Sequence, residues 1–187
     1  MNERRRFLRR LLLLRIVQGF SITGLGFLTW PFVKAWIPSF EQDNSLEVSL
    51  ADLEPGEFKT VNWLGRRVFI QRRSRTMVDY FDAASLDLKD PDSSDSRQPD
   101  FARTPWRSLS PEYFVAFNNC THLGCEVTPG DGEGSGVEGI GFECPCHQSL
   151  YDYAGRVVEG AAAPTNLEIP KYSFVSRSVI RLEAEVA

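Results

Sequence analysis

The sequence predicts an all-β domain held behind one N-terminal transmembrane helix. Two patterns carry this reading. From residue 46 onward, apolar residues alternate with polar ones in short runs separated by Gly, Pro, Asp and Ser, as in half-buried strands joined by turns. Before them, residues 16–33 form 18 consecutive positions without a charge, near the lower limit for a helix that crosses a bilayer. No internal repeat and no long amphipathic helix occurs outside that run. A chain of 187 residues suits one domain with such an extension, and 13 Phe, 5 Tyr and 4 Trp can fill its core.

The N-terminal end is basic. Arg4, Arg5, Arg6, Arg9, Arg10, Arg15 and Lys34 face one acid, Glu3, before residue 38. The rest of the chain then carries a net charge of −10, a surface that counts against nucleic acid as a partner. The segment Arg4-Arg5-Arg6-Phe7-Leu8-Arg9 resembles a twin-arginine export signal. The leucines at 11–14 lengthen the apolar run, Trp30 and Trp36 suit an interfacial belt, and Pro31 is expected to end or bend the helix. Six arginines before the span and one lysine after it place the N-terminus in the cytoplasm. No small-residue cleavage site follows, so the segment is expected to stay as an anchor in the lipid bilayer. The expected division is an anchor at 1–37, a polar linker at 38–45 and a domain at 46–187.

Within the domain, Leu46, Val48 and Leu50 alternate with polar residues as in a strand. Residues 58–63 and 67–72 flank Leu64-Gly65-Arg66 and read as a hairpin. Residues 76–84 read as a helix, and 85–112, rich in Asp, Ser and Pro, as a surface loop. Tyr113-Phe114-Val115-Ala116-Phe117 is a buried-strand run leading into Cys120. Residues 131–141 read as a turn region, and the strand at 140–143 leads into Cys144. Short strands are expected at 157–158, 167–169, 172–175 and 179–182.

All four cysteines and both histidines fall in two hexamers: Cys120-Thr121-His122-Leu123-Gly124-Cys125 and Cys144-Pro145-Cys146-His147-Gln148-Ser149. Thiolate and imidazole concentrated in two loops point to a metal or redox centre. Cys120, His122, Cys144 and His147 would make a Cys₂His₂ set, which is tetrahedral zinc chemistry by default. The one-residue spacing in the first loop is short for a zinc finger, and each loop keeps a second cysteine, Cys125 or Cys146, that such a site does not use.

The two hexamers closely resemble the boxes C-T-H-L-G-C and C-P-C-H-G-S of the Rieske iron–sulfur subunit family of quinol–cytochrome c reductases. The first matches at all six positions and the second at five. The resemblance implies a Rieske-type antiparallel β domain whose cluster-binding part spans about 118–165. It implies one [2Fe-2S] cluster, with Cys120 and Cys144 on one iron and His122 and His147 on the other. It also implies a Cys125–Cys146 disulfide between the loops, in keeping with an exported, oxidising setting. Ser149 and Tyr151 match a family Ser-x-Tyr whose hydroxyls donate to the cluster and raise its potential. Leu123 falls at the family's quinol-docking surface, and 160–164 at its proline-rich cover loop, here Gly-Ala-Ala-Ala-Pro with Pro164 its one proline. Gln148 stands where the family usually has Gly.

By the same resemblance the chain would sit in the bacterial inner membrane with its domain in the periplasm, as part of a dimeric complex with cytochrome b and cytochrome c1. It would take one electron from quinol and pass it to cytochrome c1 by swinging on the linker. His147 would contact the quinol and accept its proton. The same boxes also suit the small subunit of arsenite oxidase or a cytochrome b6f subunit. A soluble Rieske ferredoxin lacks the disulfide cysteines and the anchor, and a tethered structural zinc domain is the reading from a different class.

Overall fold

The computed structural model describes residues 2–36, 44–83, 86–130 and 138–184. The chain divides into two units, 1–43 and 44–187. Residues 38–43 of the expected linker, and most of the turn region expected at 131–141, lie outside the described residues.

The first unit holds helix α1 (Asn2–Trp36), 35 residues long. At about 1.5 Å per residue it spans roughly 50 Å, more than the ~30 Å hydrocarbon core of a bilayer. Its Glu3–Ala35 stretch contains an 18-residue window of mean hydropathy 1.7, so it is long and apolar enough to cross a membrane. The helix continues past Pro31, where the sequence suggested an end or a bend. Its hydroxyls bond back into the helix, Thr23 Oγ1 to Gly19 O and Thr29 Oγ1 to Leu25 O, both at 2.9 Å. No hydroxyl donor of those two residues is then left to seek water.

Among the described residues, the second unit holds nine strands in three antiparallel sheets. Strands β1 (Leu46–Ser49), β8 (Tyr172–Ser176) and β9 (Val179–Leu182) form the first, in the order β1-β9-β8. Strands β2 (Phe58–Trp63), β3 (Arg66–Arg72) and β4 (Tyr113–Phe117) form the second. Strands β5 (Thr128–Pro129), β6 (Ile140–Cys144) and β7 (Ser149–Asp152) form the third. The first hairpin turns on two residues rather than three. Leu64 (φ 50°) and Gly65 (φ 76°) are both left-handed, as a tight hairpin requires, and Trp63 pairs with Arg66. Arg66 thereby joins β3, lies over the Phe117 ring and pairs with Glu168 at 2.6 Å.

Every residue of β4 is buried, and Phe69, Phe114 and Phe142 meet at ring separations of 4.7–5.7 Å. This aromatic trio fastens the third sheet, which ends in Cys144, to the second, which leads into Cys120.

Three expectations are corrected. Residues 157–158 make isolated bridges to Tyr151 and Leu88 rather than a strand. Residues 167–169 are not a strand, since Leu167 N–H bonds Gly155 O and Ile169 N–H bonds Arg97 O in different segments. The run 85–112 is no plain surface loop. It includes a 3-10 turn (Asp100–Ala102) and buries Asp90, Ser93, Ala102, Arg107 and Ser108. Polar composition suggested exposure, but these side chains satisfy one another and the backbone. The Asp90 carboxylate accepts from Ser94 N–H at 2.7 Å, Asp95 N–H at 3.2 Å and Ser96 Oγ at 2.6 Å. Helix α2 (Arg75–Ala83) falls close to its expected place.

Candidate metal centre

Two turns carry the candidate ligands. The first follows β4. Asn118 N–H bonds Arg67 O, and its side-chain oxygen takes Val127 N–H at 3.0 Å, bracketing the loop. Inside it, Gly124 N–H bonds Cys120 O and Cys120 N–H bonds Cys125 O, which closes a tight turn with Gly124 left-handed at φ 80°. The second turn joins β6 to β7. Cys144 pairs with Ser149 across it, and Gln148 N–H returns to Cys144 O. Gln148 has φ 54°, the left-handed conformation that explains why glycine suits this position.

A disulfide joins Cys125 to Cys146 and so ties the two turns together. Cys120 and Cys144 are free and buried. Their thiols face each other, and burial pushes the Cys144 thiol up. The sulfurs of Cys125, Cys144 and Cys146 lie within 4.8 Å of one another, but two of them are bonded together and cannot serve as thiolate ligands. The His122 and His147 rings pack at 4.6 Å and 74°. His122 is half-buried, and its Nδ1 is buried with no hydrogen-bond partner among the described residues. His147 is exposed, and Leu123 beside the site is 71% exposed.

This donor set fits a metal centre. Two buried thiols and two converging imidazoles supply four ligands, and an orphaned ring nitrogen is accounted for when it binds a metal. The Rieske [2Fe-2S] domain model matches residues 46–173. The chain belongs to the Rieske family. It therefore carries a [2Fe-2S] cluster.

Among its relatives, the ubiquinol–cytochrome c reductase iron–sulfur subunit of Allochromatium vinosum is 38% identical over 181 residues. That match covers 92% of this chain and 87% of that one. A mitochondrial cytochrome b-c1 complex subunit, Rieske-4 of Nicotiana tabacum, is 42% identical over 135 residues, covering 72% of this chain and 50% of its own length. The chain thus spans about half the length of that plant relative. A chain of a hyperthermophilic respiratory Complex III superposes with a TM-score of 0.48 at 21% identity, over 89% of this chain and 98% of that one.

The hydroxyls flanking this Rieske site have distinct partners. Tyr151 is fully buried with its hydroxyl 3.3 Å from Cys120 Sγ. Burial first, then that sulfur contact, raises the phenol well above its ordinary value, so it keeps its proton at neutral pH. Ser149 Oγ accepts the Ala163 N–H at 3.0 Å, and among the described residues no acceptor takes its own proton.

Several residues that hold the Rieske site escaped the sequence. Thr121 Oγ1 donates to Thr165 O at 2.6 Å and clamps the first loop to the chain just past the cover loop. Asn166 reaches Asp90 O, Ser93 Oγ and Val157 N–H. Asp152, buried, accepts Ala154 and Arg156 N–H and pairs with the Arg156 guanidinium at 2.7 Å. Arg73 and Arg107, both buried, grip carbonyls of the turn that follows, Tyr153 O for one and Ala154 O and Gly155 O for the other. An arginine just past a strand (Arg73) or in a polar run (Arg107) carries no local mark of burial, so nothing in the sequence singles these out.

Proposed function

We propose that this Rieske protein is the electron-transfer subunit of a bacterial cytochrome bc1 complex, oxidising quinol at the outer membrane face and reducing cytochrome c1. The observation that carries the reading is the match to the Allochromatium subunit, which runs over 92% of this chain rather than over the Rieske domain alone. When bound, the cluster supplies the one-electron couple between quinol and cytochrome c1.

The chain's own residues do the rest. Cys120, Cys144, His122 and His147 hold the cluster. The exposed His147 ring offers its outward nitrogen to a quinol hydroxyl and accepts its proton there. The exposed Leu123 side chain gives the quinol ring an apolar seat beside it. The Cys125–Cys146 bridge keeps the two loops in register. Tyr151, beside Cys120 Sγ, would donate to that thiolate, and Ser149, whose oxygen accepts the Ala163 N–H, would turn its own proton to the cluster, which would favour the more negative reduced form.

Membranes lacking only this chain should lose quinol-dependent reduction of cytochrome c and regain it with the full-length chain. Reduction that persists without it would overturn the assignment. Ser149→Ala and Tyr151→Phe should each keep the cluster but shift its one-electron equilibrium toward the oxidised form about tenfold, or roughly 59 mV. A redox titration monitored by EPR reads this, and an unchanged potential rules out the donor roles.

Helix α1 is the anchor in this reading, with its apolar side chains in lipid and the domain in the periplasm. The Arg4-Arg5 pair directs export through the twin-arginine route, which carries folded proteins and so admits a domain with its cluster already inserted. With Lys-Lys in their place the domain should stay on the cytoplasmic side, protected from protease added to spheroplasts. Normal exposure to the protease would refute that route.

A further inference from the structure

The cover loop of this chain lacks the means to hold itself. Residues 160–164 are Gly-Ala-Ala-Ala-Pro, with one proline to restrict the backbone and no side chain that can hydrogen-bond. Gly160, left-handed at φ 81°, adds freedom at its start. Yet Ala163 is fully buried and its N–H is spent on Ser149 Oγ. Something outside the loop must fix it.

The outside group is Lys89. Its ammonium donates to Ala161 O at 2.8 Å and to Ala163 O at 3.0 Å, one carbonyl on each side of Ala162. The root of that side chain is itself fixed. Lys89 N–H bonds Val157 O at 3.0 Å, Glu159 N–H bonds Asp87 O at 2.8 Å, and Leu88 pairs antiparallel with Val158. Val158 N–H bonds Leu150 O in β7, and Tyr151 pairs with Val157. Residues 87–89 are thus tied through 157–159 to the strand that carries Ser149 and Tyr151. A half-buried lysine on that frame closes a ring: β7, residues 157–159, residues 87–89, Lys89 Nζ, the cover loop and back to Ser149 through Ala163 N–H.

We propose that Lys89 is a positioning residue for the cluster: its ammonium holds the cover loop so that the Ala163 amide fixes the Ser149 hydroxyl with its proton toward the cluster. With Ala163 N–H on the oxygen's lone pair, the hydroxyl proton is turned away from the cover loop. Two charge-assisted bonds give the loop the rigidity that a second proline would otherwise supply. The inference rests on Ser149 being a donor to the cluster.

The test uses the full-length, cluster-loaded chain and its reduction potential from an EPR-monitored titration. Lys89→Met keeps the stem and removes the charge and the donors. It should move the one-electron equilibrium toward the oxidised form by roughly tenfold, about 59 mV. Lys89→Arg, which keeps donors and charge, should restore most of it. In a Ser149→Ala background, Lys89→Met should add little, because the hydroxyl it positions is gone. An equal drop in both backgrounds would mean that the charge alone acts at a distance, and would overturn the positioning role. A drop for Ser149→Ala with none for Lys89→Met would overturn the inference and leave the Ser149 donor intact. No drop for Ser149→Ala would remove the donor reading itself. Amide exchange across 160–165 is a second readout, which should quicken in Lys89→Met. Exchange as slow as in the unaltered chain would also overturn the role.

Discussion

Replacing His147 with alanine leaves the full-length chain without its cluster. Iron and acid-labile sulfide should fall from two of each per chain to near zero, and the EPR signal of the reduced protein should vanish. The chain has two histidines, and both rings already converge on the site at 4.6 Å. No third imidazole exists to replace a lost one. Cys125 and Cys146 are bonded to each other, so neither offers a thiolate. The neighbouring Gln148 brings only a neutral amide, a poor ligand for iron beside thiolate and imidazole. His147 is also exposed, so the gap left by alanine opens to water and not to another ligand. The domain around it should persist, because the disulfide and the aromatic trio of Phe69, Phe114 and Phe142 do not depend on the imidazole. Circular dichroism of the variant should therefore keep its β signature while the iron is lost. Normal iron and sulfide in this variant would remove His147 from the ligand set. A preparation of the unaltered chain that held one zinc and no sulfide would remove the cluster altogether.

The cluster motifs were legible because their chemistry is local. Cys120 to Cys125 and Cys144 to Ser149 each make one turn, so spacing along the chain reports spacing in space. The strands were legible where alternation was strong, as in β1 and β4. What the sequence hid is long-range satisfaction of polar groups. Asp90 and Arg107 belong to a run that composition marks as exposed, and their partners lie up to 76 residues away, at Asn166 for Asp90. Hydropathy assigns each residue a preference for water, whereas burial of a polar group depends on whether the fold supplies its partners. Strand β7 shows the same limit. Ser149 and Tyr151 stand out in the sequence only through the Ser-x-Tyr resemblance, and the alternation of a four-residue strand is too short to stand out beside a metal motif.

Replacing Arg107 with methionine should cost the domain about 2–6 kcal/mol, from two buried carbonyls left without a donor at about 1–3 kcal/mol each. The residue is 1% exposed and sends every arm of its guanidinium to a partner. Nε donates to Gln98 Oε1 at 2.9 Å, Nη1 to Ala154 O at 3.0 Å and Gly155 O at 3.2 Å, and Nη2 to Leu167 O at 2.8 Å. Methionine fills much of the volume but offers no donor. Gly155 O keeps the Leu167 N–H, while Ala154 O and Leu167 O lose the guanidinium, at about 1–3 kcal/mol for each buried acceptor left bare. Lysine should not rescue, since one ammonium cannot reproduce the planar fork. Against a typical domain stability of about 5–15 kcal/mol this is a large fraction. It should appear as a lower midpoint in denaturant with an unchanged slope. Burial pulls the folded Arg107 down to about 10 from its ordinary 12.5. Both folded and unfolded states therefore hold its proton below that range, and a proton difference arises only as the pH rises through about 10. The loss should accordingly be the same at pH 6 and pH 8. Arg73 grips Tyr153 O in the same turn, so Arg73→Met should be destabilising too, with the double variant falling short of the sum. A loss below about 1 kcal/mol for Arg107→Met would mean that solvent reaches these carbonyls, and would remove the guanidinium as the support of the turn that follows Tyr151.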